Sequence, residues 1–301
     1  MITRIILKWI ESGGLLTWVR SGALAAAAVV GALALGGCGG AQADGAGTGR
    51  LEVVAGFYPL AFAASEIGGD GVVVTNLTPL GAEPHDLELS PRDVERVRAA
   101  DLVLYLGAGF QPALEDAVAK AEGRAVDALA GLELTAGDPH VWLDPVRYEE
   151  IAARVGEALD RPEAARAFSE RLTGLDLEYE AGLADCERRE IVTSHAAFGY
   201  LAERYGLEQI SVTGLAPEAE PAPRELERVA RLARERGATT IFFEALVSPE
   251  LAETVAREIG AETAALDPLE GLTGEEAEGG EDYFSLMLRN LAVLREALGC
   301  R

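Results

Sequence analysis

The chain has 301 residues, of which 49% are hydrophobic and 25% charged, a composition typical of a globular protein with one or two domains. Acidic residues outnumber basic ones by 50 to 26, so the formal net charge is −24 at pH 7. This balance argues against nucleic acid and anionic lipid headgroups as partners, and we interpret most of the acidity as solvated surface.

Residues 1–37 have the layout of a signal peptide. Basic residues at Arg4, Lys8 and Arg20 precede an apolar run that is shorter than the roughly 20 residues a membrane-spanning helix needs. The run ends in Leu35-Gly36-Gly37-Cys38, which resembles a bacterial lipobox. We therefore expect cleavage before Cys38 and lipidation of its thiol; an unused thiol beside an ordinary secretory cleavage site is the alternative. The glycine-rich residues 38–49 should form a flexible tether.

Residues 50–144 alternate short apolar runs with longer amphipathic ones, which predicts a βα lobe with a parallel sheet. Helices should begin near Leu60, Pro91 and Gln111, and Ser90 can cap the second of them. The predicted strands are Leu51 to Gly56, Val72 to Leu77, Asp101 to Leu106 and a short one near Ala125.

Residues 145–182 read as helix almost without interruption, which predicts one long linking helix. The βα rhythm then restarts, so residues 183–301 should form a second α/β lobe. Its helices should begin near Ala196, Arg224, Pro249 and Tyr283. Its predicted strands are Glu190 to Ser194, Gln209 to Thr213, Thr239 to Phe243 and Thr263 to Leu266.

The three histidines of the chain all lie in loops beside these strands. His85 follows the second strand of the first lobe, His140 ends that lobe, and His195 follows the first strand of the second lobe. Asp267 follows the last predicted strand. Because ligands bind outside the carboxyl ends of strands in open α/β sheets, we expect these four side chains to face one interlobe cleft. The alternative is that each histidine is a separate hydrogen-bonding loop residue.

Three imidazoles and one carboxylate would complete the tetrahedral shell that zinc prefers, whereas manganese favours oxygen ligands. Glu244, at the end of another strand, is a candidate for orienting a ligating imidazole. Asp86, Asp138 and Asp144 are interpreted as turn and helix-cap residues.

Two further features concern other parts of the chain. If Cys38 is lipidated, Cys186 and Cys300 remain, and they could form a disulfide or stay as two free thiols. The acidic run is interpreted as a solvated loop rather than a metal-collecting one; it comprises Glu275, Glu276, Glu278, Glu281 and Asp282.

Taken together and in order, five segments resemble those of the zinc and manganese substrate-binding lipoproteins of bacterial ABC transporters, in the zinc branch of the cluster A-I solute-binding proteins. The resemblance covers essentially the whole chain. The segments are Glu83-Pro84-His85-Asp86 with Ser90-Pro91, Asp138 to Pro145, Ser194 to Tyr200, Phe243-Glu244 and Leu266 to Leu269.

The resemblance implies that His85, His140, His195 and Asp267 are the metal ligands and that the helix from Pro145 is a rigid connection between the lobes. Manganese-preferring members typically place a carboxylate at the position of His195, so the histidine favours Zn²⁺ over Mn²⁺. The histidine-rich loop of many zinc-specific members is absent from this sequence. The implied protein is an extracytoplasmic or periplasmic monomer, anchored to the membrane through Cys38, that delivers metal to an ABC transporter permease.

Other functional classes remain as alternatives: a manganese-delivering homologue, a zinc-dependent hydrolase or a surface adhesin. A catalytic zinc needs an open coordination position, which Asp267 would fill, and no His-Glu-x-x-His motif occurs. Trp142 and Tyr200 adjoin the ligand segments and are expected to wall the cleft. The sequence therefore favours a binding protein over an enzyme.

Overall fold

The computed structural model describes residues 49–217 and 221–301. The predicted signal peptide, Cys38 and all of the tether except Gly49 lie outside these residues. Among the helices of the described ranges, none combines the length and the apolar character needed to cross a membrane.

The N-terminal lobe is built on four parallel strands in the order β2-β1-β3-β4. They are β1 (Leu51–Ala55), β2 (Val72–Asn76), β3 (Leu102–Tyr105) and β4 (Arg124–Asp127), and the crossover helices are α1 (Tyr58–Gly68), α2 (Pro91–Ala99) and α3 (Pro112–Val118). All four predicted strands are confirmed. So is the start of α2, where the hydroxyl of Ser90 accepts the backbone N–H of Asp93 at 3.3 Å.

The linking segment is two helices rather than the single one predicted. α4 (Pro145–Ala158) ends at a turn in which Asp160 adopts φ 56°, and α5 (Pro162–Leu183) begins at a proline. A left-handed residue and a proline both terminate a helix and redirect the chain. The helices pack antiparallel: the Thr173 hydroxyl donates to Glu149 at 2.8 Å. A Cβ at Gly156 would lie 2.3 Å from that of Ala165, so glycine is required at this crossing.

The C-terminal lobe repeats the topology of the first, with four parallel strands in the order β6-β5-β7-β8. They are β5 (Glu190–Thr193), β6 (Glu208–Ser211), β7 (Thr240–Phe243) and β8 (Glu262–Ala265). The helices are α6 (Gly199–Tyr205), α7 (Pro223–Glu235), α8 (Glu250–Ile259), α9 (Gly274–Gly279) and α10 (Tyr283–Leu298). The predicted α/β architecture of two parallel-sheet lobes is confirmed.

The acidic run is not the solvated loop that the sequence predicted, because it contains α9. The hydroxyl of Thr273 caps this helix by accepting the N–H of Glu276 at 3.2 Å. Glu276 is buried and its carboxylate pairs with Arg289. The capping residue and the buried ion pair account for the helix in a segment whose composition predicts a loop.

One large apolar core connects the two lobes through the helices between them. Its buried residues include Leu60 of α1, Tyr148 of α4, Leu172 of α5, Leu201 of α6 and Leu294 of α10. Smaller clusters cover the outer side of each sheet. Because packed interiors resist deformation, this shared core favours a fixed arrangement of the loops at the strand ends.

A disulfide between Cys186 and Cys300 joins the segment after α5 to the C-terminus. The two cysteines also pair as an isolated antiparallel bridge. The bond spans a sequence separation of 114 residues and holds the end of α10 against the start of the C-terminal lobe.

Candidate metal centre

Four side chains from the two lobes converge at the carboxyl ends of the strands. His85 lies in the loop after β2, His140 between β4 and α4, His195 directly after β5, and Glu270 five residues after β8. One ligand atom from each of these residues lies within 4.8 Å of the others. Each lobe therefore supplies two of the four groups.

The distances centre on one carboxylate oxygen. Glu270 Oε1 lies 3.1 Å from Nε2 of His140, 3.3 Å from that of His85 and 3.5 Å from that of His195. The Nε2 atoms of His140 and His195 are 3.4 Å apart. Ligands bonded to zinc at 2.0–2.1 Å in a tetrahedron are separated by about 3.3 Å along each edge. Four of the six edges, at 3.1–3.5 Å, thus have the spacing of a tetrahedral zinc shell, and all four atoms lie within 4.8 Å of one another.

His140 is oriented by a carboxylate two residues before it. Oδ1 of Asp138 lies 2.6 Å from Nδ1 of His140 and accepts the backbone N–H of the same residue at 2.9 Å. This contact fixes the ring so that Nε2 faces the other ligands. The sequence interpretation of Asp138 as a turn residue was therefore incomplete, because its carboxylate also contacts the imidazole.

His195 has the same arrangement with a residue from the neighbouring strand. Oε2 of Glu244 lies 2.7 Å from Nδ1 of His195, and Oε1 accepts the His195 backbone N–H at 3.1 Å. The structure thus places the candidate orienting residue against one of the three imidazoles. Its second oxygen also anchors the backbone, so ring and main chain are fixed together.

His85 is the most exposed of the three imidazoles, with 12% of its side-chain surface accessible to solvent. Its ring meets the edge of Phe110 at a centroid distance of 4.6 Å. The buried amide of Gln111 donates to the carbonyl of Pro84 at 3.2 Å, which holds the preceding residue. The cleft therefore opens to solvent on the side of His85.

The charges of the site are strongly coupled. Burial alone would lower the pKa of His195, but hydrogen bonds to Glu244 and Glu270 outweigh it and raise that pKa to about 10. The pKa of His140 is also raised, since its bonds to Asp138 and Glu270 exceed the effect of burial. Burial would raise the pKa of Glu270, yet its three imidazole partners hold it well below the usual range. The lowered pKa keeps the Glu270 carboxylate ionised, and the raised pKa values mean that His140 and His195 hold their protons more tightly than a free imidazole does.

A family model described as zinc-uptake complex component A, periplasmic, matches residues 53–297. The chain belongs to this family.

Relatives in the zinc-uptake family extend over most of the chain. It is 34% identical over 288 residues to the zinc-binding protein AdcA of Streptococcus pyogenes serotype M6, a match that covers 82% of this chain and 56% of AdcA. The high-affinity zinc uptake system protein ZnuA of Bacillus subtilis is 32% identical over 280 residues, covering 83% of this chain and 88% of ZnuA. The chain therefore spans little more than half the length of the AdcA relatives.

Solved structures of similar proteins support the same assignment. The zinc-bound ZnuA-like domain of Streptococcus pneumoniae AdcA is 35% identical with a TM-score of 0.73, over 83% of this chain and 99% of that one. The laminin-binding protein Lmb of Streptococcus agalactiae, described as a bifunctional protein with adhesin and metal-transporting activity, is 31% identical with a TM-score of 0.76, over 82% and 99%. The fold of this chain is that of the zinc-uptake family.

Asp267, the fourth ligand expected from the sequence, does not lie among the converging groups; Glu270 takes that place. Asp267 follows β8 by two residues, and its Oδ1 accepts the backbone N–H of Leu269 at 2.7 Å. This hydrogen bond lies in the turn that leads to Glu270, whose carboxylate reaches the imidazoles. Both acids follow the same strand, and strand position alone does not distinguish them.

The two aromatic residues that the sequence predicted to wall the cleft are both buried and form hydrogen bonds between the lobes. The Trp142 ring is fully buried at a centroid distance of 5.1 Å from His140, and its indole N–H donates to the carbonyl of Pro268 at 2.8 Å. The hydroxyl of Tyr200 donates to the carbonyl of Asp138 at 2.9 Å. Both side chains thus tie ligand-bearing loops of one lobe to the other.

Proposed function

We propose that this protein binds one Zn²⁺ ion through His85, His140, His195 and Glu270 and delivers it to an ABC importer. The observation that carries the proposal is the convergence of three Nε2 atoms on Glu270 Oε1 at distances of 3.1–3.5 Å. The names of the relatives AdcA and ZnuA support zinc as the cargo. Nitrogen-rich ligand sets favour zinc over manganese, which supports the same choice.

Capture exchanges protons for metal. The bound ion takes the place of the protons that His140 and His195 share with Glu270, so binding releases protons to solvent. Asp138 and Glu244 keep the Nδ1 atoms of His140 and His195 occupied, which directs their Nε2 atoms to the ion. The four ligands close the shell without a position for water, and this supports capture rather than hydrolysis.

The family match and the first residues of the chain support a proposal for delivery and location. We propose that cleavage before Cys38 and lipidation of its thiol hold the protein at the outer face of the membrane, where a permease receives the ion. The protein acts as a monomer in this proposal. In residues 49–217 and 221–301 the exposed large hydrophobic side chains are four leucines, so this part of the surface shows no aromatic patch that would favour the alternative of an adhesin.

Elemental analysis of the purified protein tests the site. Wild-type protein loaded with zinc and then desalted should retain one equivalent, while His140→Ala and His195→Ala should lose it. The control is Glu275→Gln, a substitution at an exposed position of α9 that contributes no ligand atom, and this variant should retain the metal. Unchanged zinc content in both histidine variants would overturn the assignment.

A further inference from the structure

The loop that carries Glu270 is fixed from both lobes. This segment, residues 266–272, is called the Glu270 loop below. Asn290 of α10 forms two hydrogen bonds with the main chain of Asp267, accepting its N–H at 2.9 Å and donating to its carbonyl at 2.6 Å. From the N-terminal lobe, Trp142 donates to the carbonyl of Pro268, and the N–H of Gly81 donates to that of Leu272 at 2.8 Å. These contacts hold the main chain at both ends of the loop but do not involve Leu269 in its central turn.

The central turn is strained at Leu269. This residue has φ 55°, in the left-handed region, although its side chain is fully buried. For a residue with a Cβ this conformation costs about 1–2 kcal/mol. A return to negative φ would change the direction of the chain immediately before Glu270. The strained conformation is therefore tied to the position of the carboxylate that meets the three imidazoles.

One side chain stabilises this conformation directly. Asp267 Oδ1 accepts the N–H of Leu269 at 2.7 Å, in the manner of an Asx turn. The other oxygen of Asp267 is buried without a hydrogen-bond partner, and its nearest cation is Arg289 at 3.6 Å. Burial of an under-satisfied carboxyl is unfavourable. The Asp267 side chain therefore orders the loop through its hydrogen bond to the N–H of Leu269.

We propose that Asp267 is a positioning residue for metal binding: through its hydrogen bond to Leu269 it maintains the left-handed turn that places Glu270 at the imidazoles. The inference rests on the proposed function and names the residue that arranges its site. It predicts that an acceptor oxygen is needed at position 267, whereas a negative charge is not.

The test compares two substitutions of Asp267 by competitive zinc titration and by the absorption spectrum of the Co²⁺-loaded protein, which reports coordination geometry. Asp267→Asn retains the acceptor and should bind zinc within about threefold of wild type, with an unchanged spectrum. Asp267→Ala removes it and should weaken binding by about 10- to 100-fold, with an altered spectrum, as is usual when support for a ligand is lost. Val255→Ala, in a separate apolar cluster of the C-terminal lobe, is the control for lowered stability and should leave both readouts unchanged.

A double variant keeps the test informative if Asp267→Ala does not fold. Glycine adopts positive φ at little steric cost, so Leu269→Gly removes the strain that Asp267 offsets. Adding Asp267→Ala to Leu269→Gly should then change zinc affinity by less than about threefold. Equal losses for Asp267→Asn and Asp267→Ala, wild-type affinity in Asp267→Ala, or a full 10- to 100-fold loss in the glycine background would each overturn the inference. Wild-type protein that binds no zinc would instead refute the proposed function.

Discussion

Replacing Glu270 by glutamine removes the negative charge at the centre of the site while preserving its size. The charged oxygen lies 3.1–3.5 Å from the Nε2 atoms of three imidazoles. A neutral amide loses this attraction, and its NH₂ group cannot act as a ligand. The variant should therefore bind zinc more weakly and also carry fewer protons on its imidazoles.

The magnitude follows from the burial of the site. His140, His195 and Glu270 have no solvent-accessible side-chain surface. Removing one partner of a buried charged pair typically costs about 3–5 kcal/mol, which corresponds to a loss of zinc affinity of about 10²- to 10⁴-fold. We expect this loss in a competitive titration against a fluorescent zinc chelator at pH 7.5.

The matched control is Glu275→Gln, the same substitution at an exposed position of α9. Its affinity should equal that of wild type, and circular dichroism should show that both variants are folded. Glu270→Gln protein that binds zinc within threefold of wild type would refute the reasoning, because the carboxylate would then contribute no essential ligand atom.

Four other perturbations test separate parts of the structure. Because bonds to Glu244 and Glu270 raise the pKa of His195 to about 10, zinc must displace protons from the site at neutral pH. Zinc affinity should therefore rise about 10-fold per pH unit for each proton released between pH 6 and 8, and calorimetry in buffers of different ionisation enthalpy should detect those protons. Glu244→Gln should lower zinc affinity by about 10- to 100-fold, whereas an unchanged affinity would show that its contact with Nδ1 is dispensable. Burial raises the pKa of Asp267 to about 7, so this carboxyl stabilises the fold at low pH and loses that contribution as pH rises from 4 through 7. In urea unfolding, the free energy of unfolding of Asp267→Asn should therefore rise relative to that of wild type by roughly 2–4 kcal/mol between pH 4 and 8, and a difference between the two proteins that does not change with pH would contradict this. Replacing Cys186 and Cys300 by serine should lower the free energy of unfolding by roughly 4 kcal/mol, because the bond closes a loop of 114 residues, and an unchanged urea midpoint would show that the bond does not constrain the unfolded chain.

The positions of the strands were predictable because each is a short apolar run bounded by turn residues. Val72 to Leu77 is an example: the predicted span matches β2 to within one residue. Parallel strands place their carboxyl ends at one edge of a sheet, so the histidine loops were predictable as neighbours. The side-chain atoms that meet at the site were not predictable in the same way, because they depend on loop conformation, which periodicity does not encode.

The choice between Asp267 and Glu270 shows this limit. Both acids follow β8, and the decision rests on Leu269, a residue whose positive φ sequence preference disfavours. The motif Asp267-Pro268-Leu269-Glu270 could have raised Glu270 as a second candidate, since it lies in the same segment. Tertiary contacts from Trp142 and Asn290 then fix the turn, and they join residues more than 20 positions apart.

The break in the linking segment has a sequence signal at Pro162, the first residue of α5. Pro162 is a strong signal for a helix start, and Asp160 precedes it in a left-handed conformation. The apolar pattern continues on both sides because α4 and α5 bury faces against each other. The apolar periodicity is therefore the same for a hairpin of two helices as for one long helix, and only the proline distinguishes the two structures.

Anomalous diffraction at the zinc edge, from crystals of the zinc-loaded protein, tests the central claim most directly. We predict one peak at about 2.0–2.2 Å from Nε2 of His85, His140 and His195 and from a carboxylate oxygen of Glu270, with Asp267 outside the shell. A peak coordinated by Asp267 in place of Glu270, or one distant from the three imidazoles, would contradict the account.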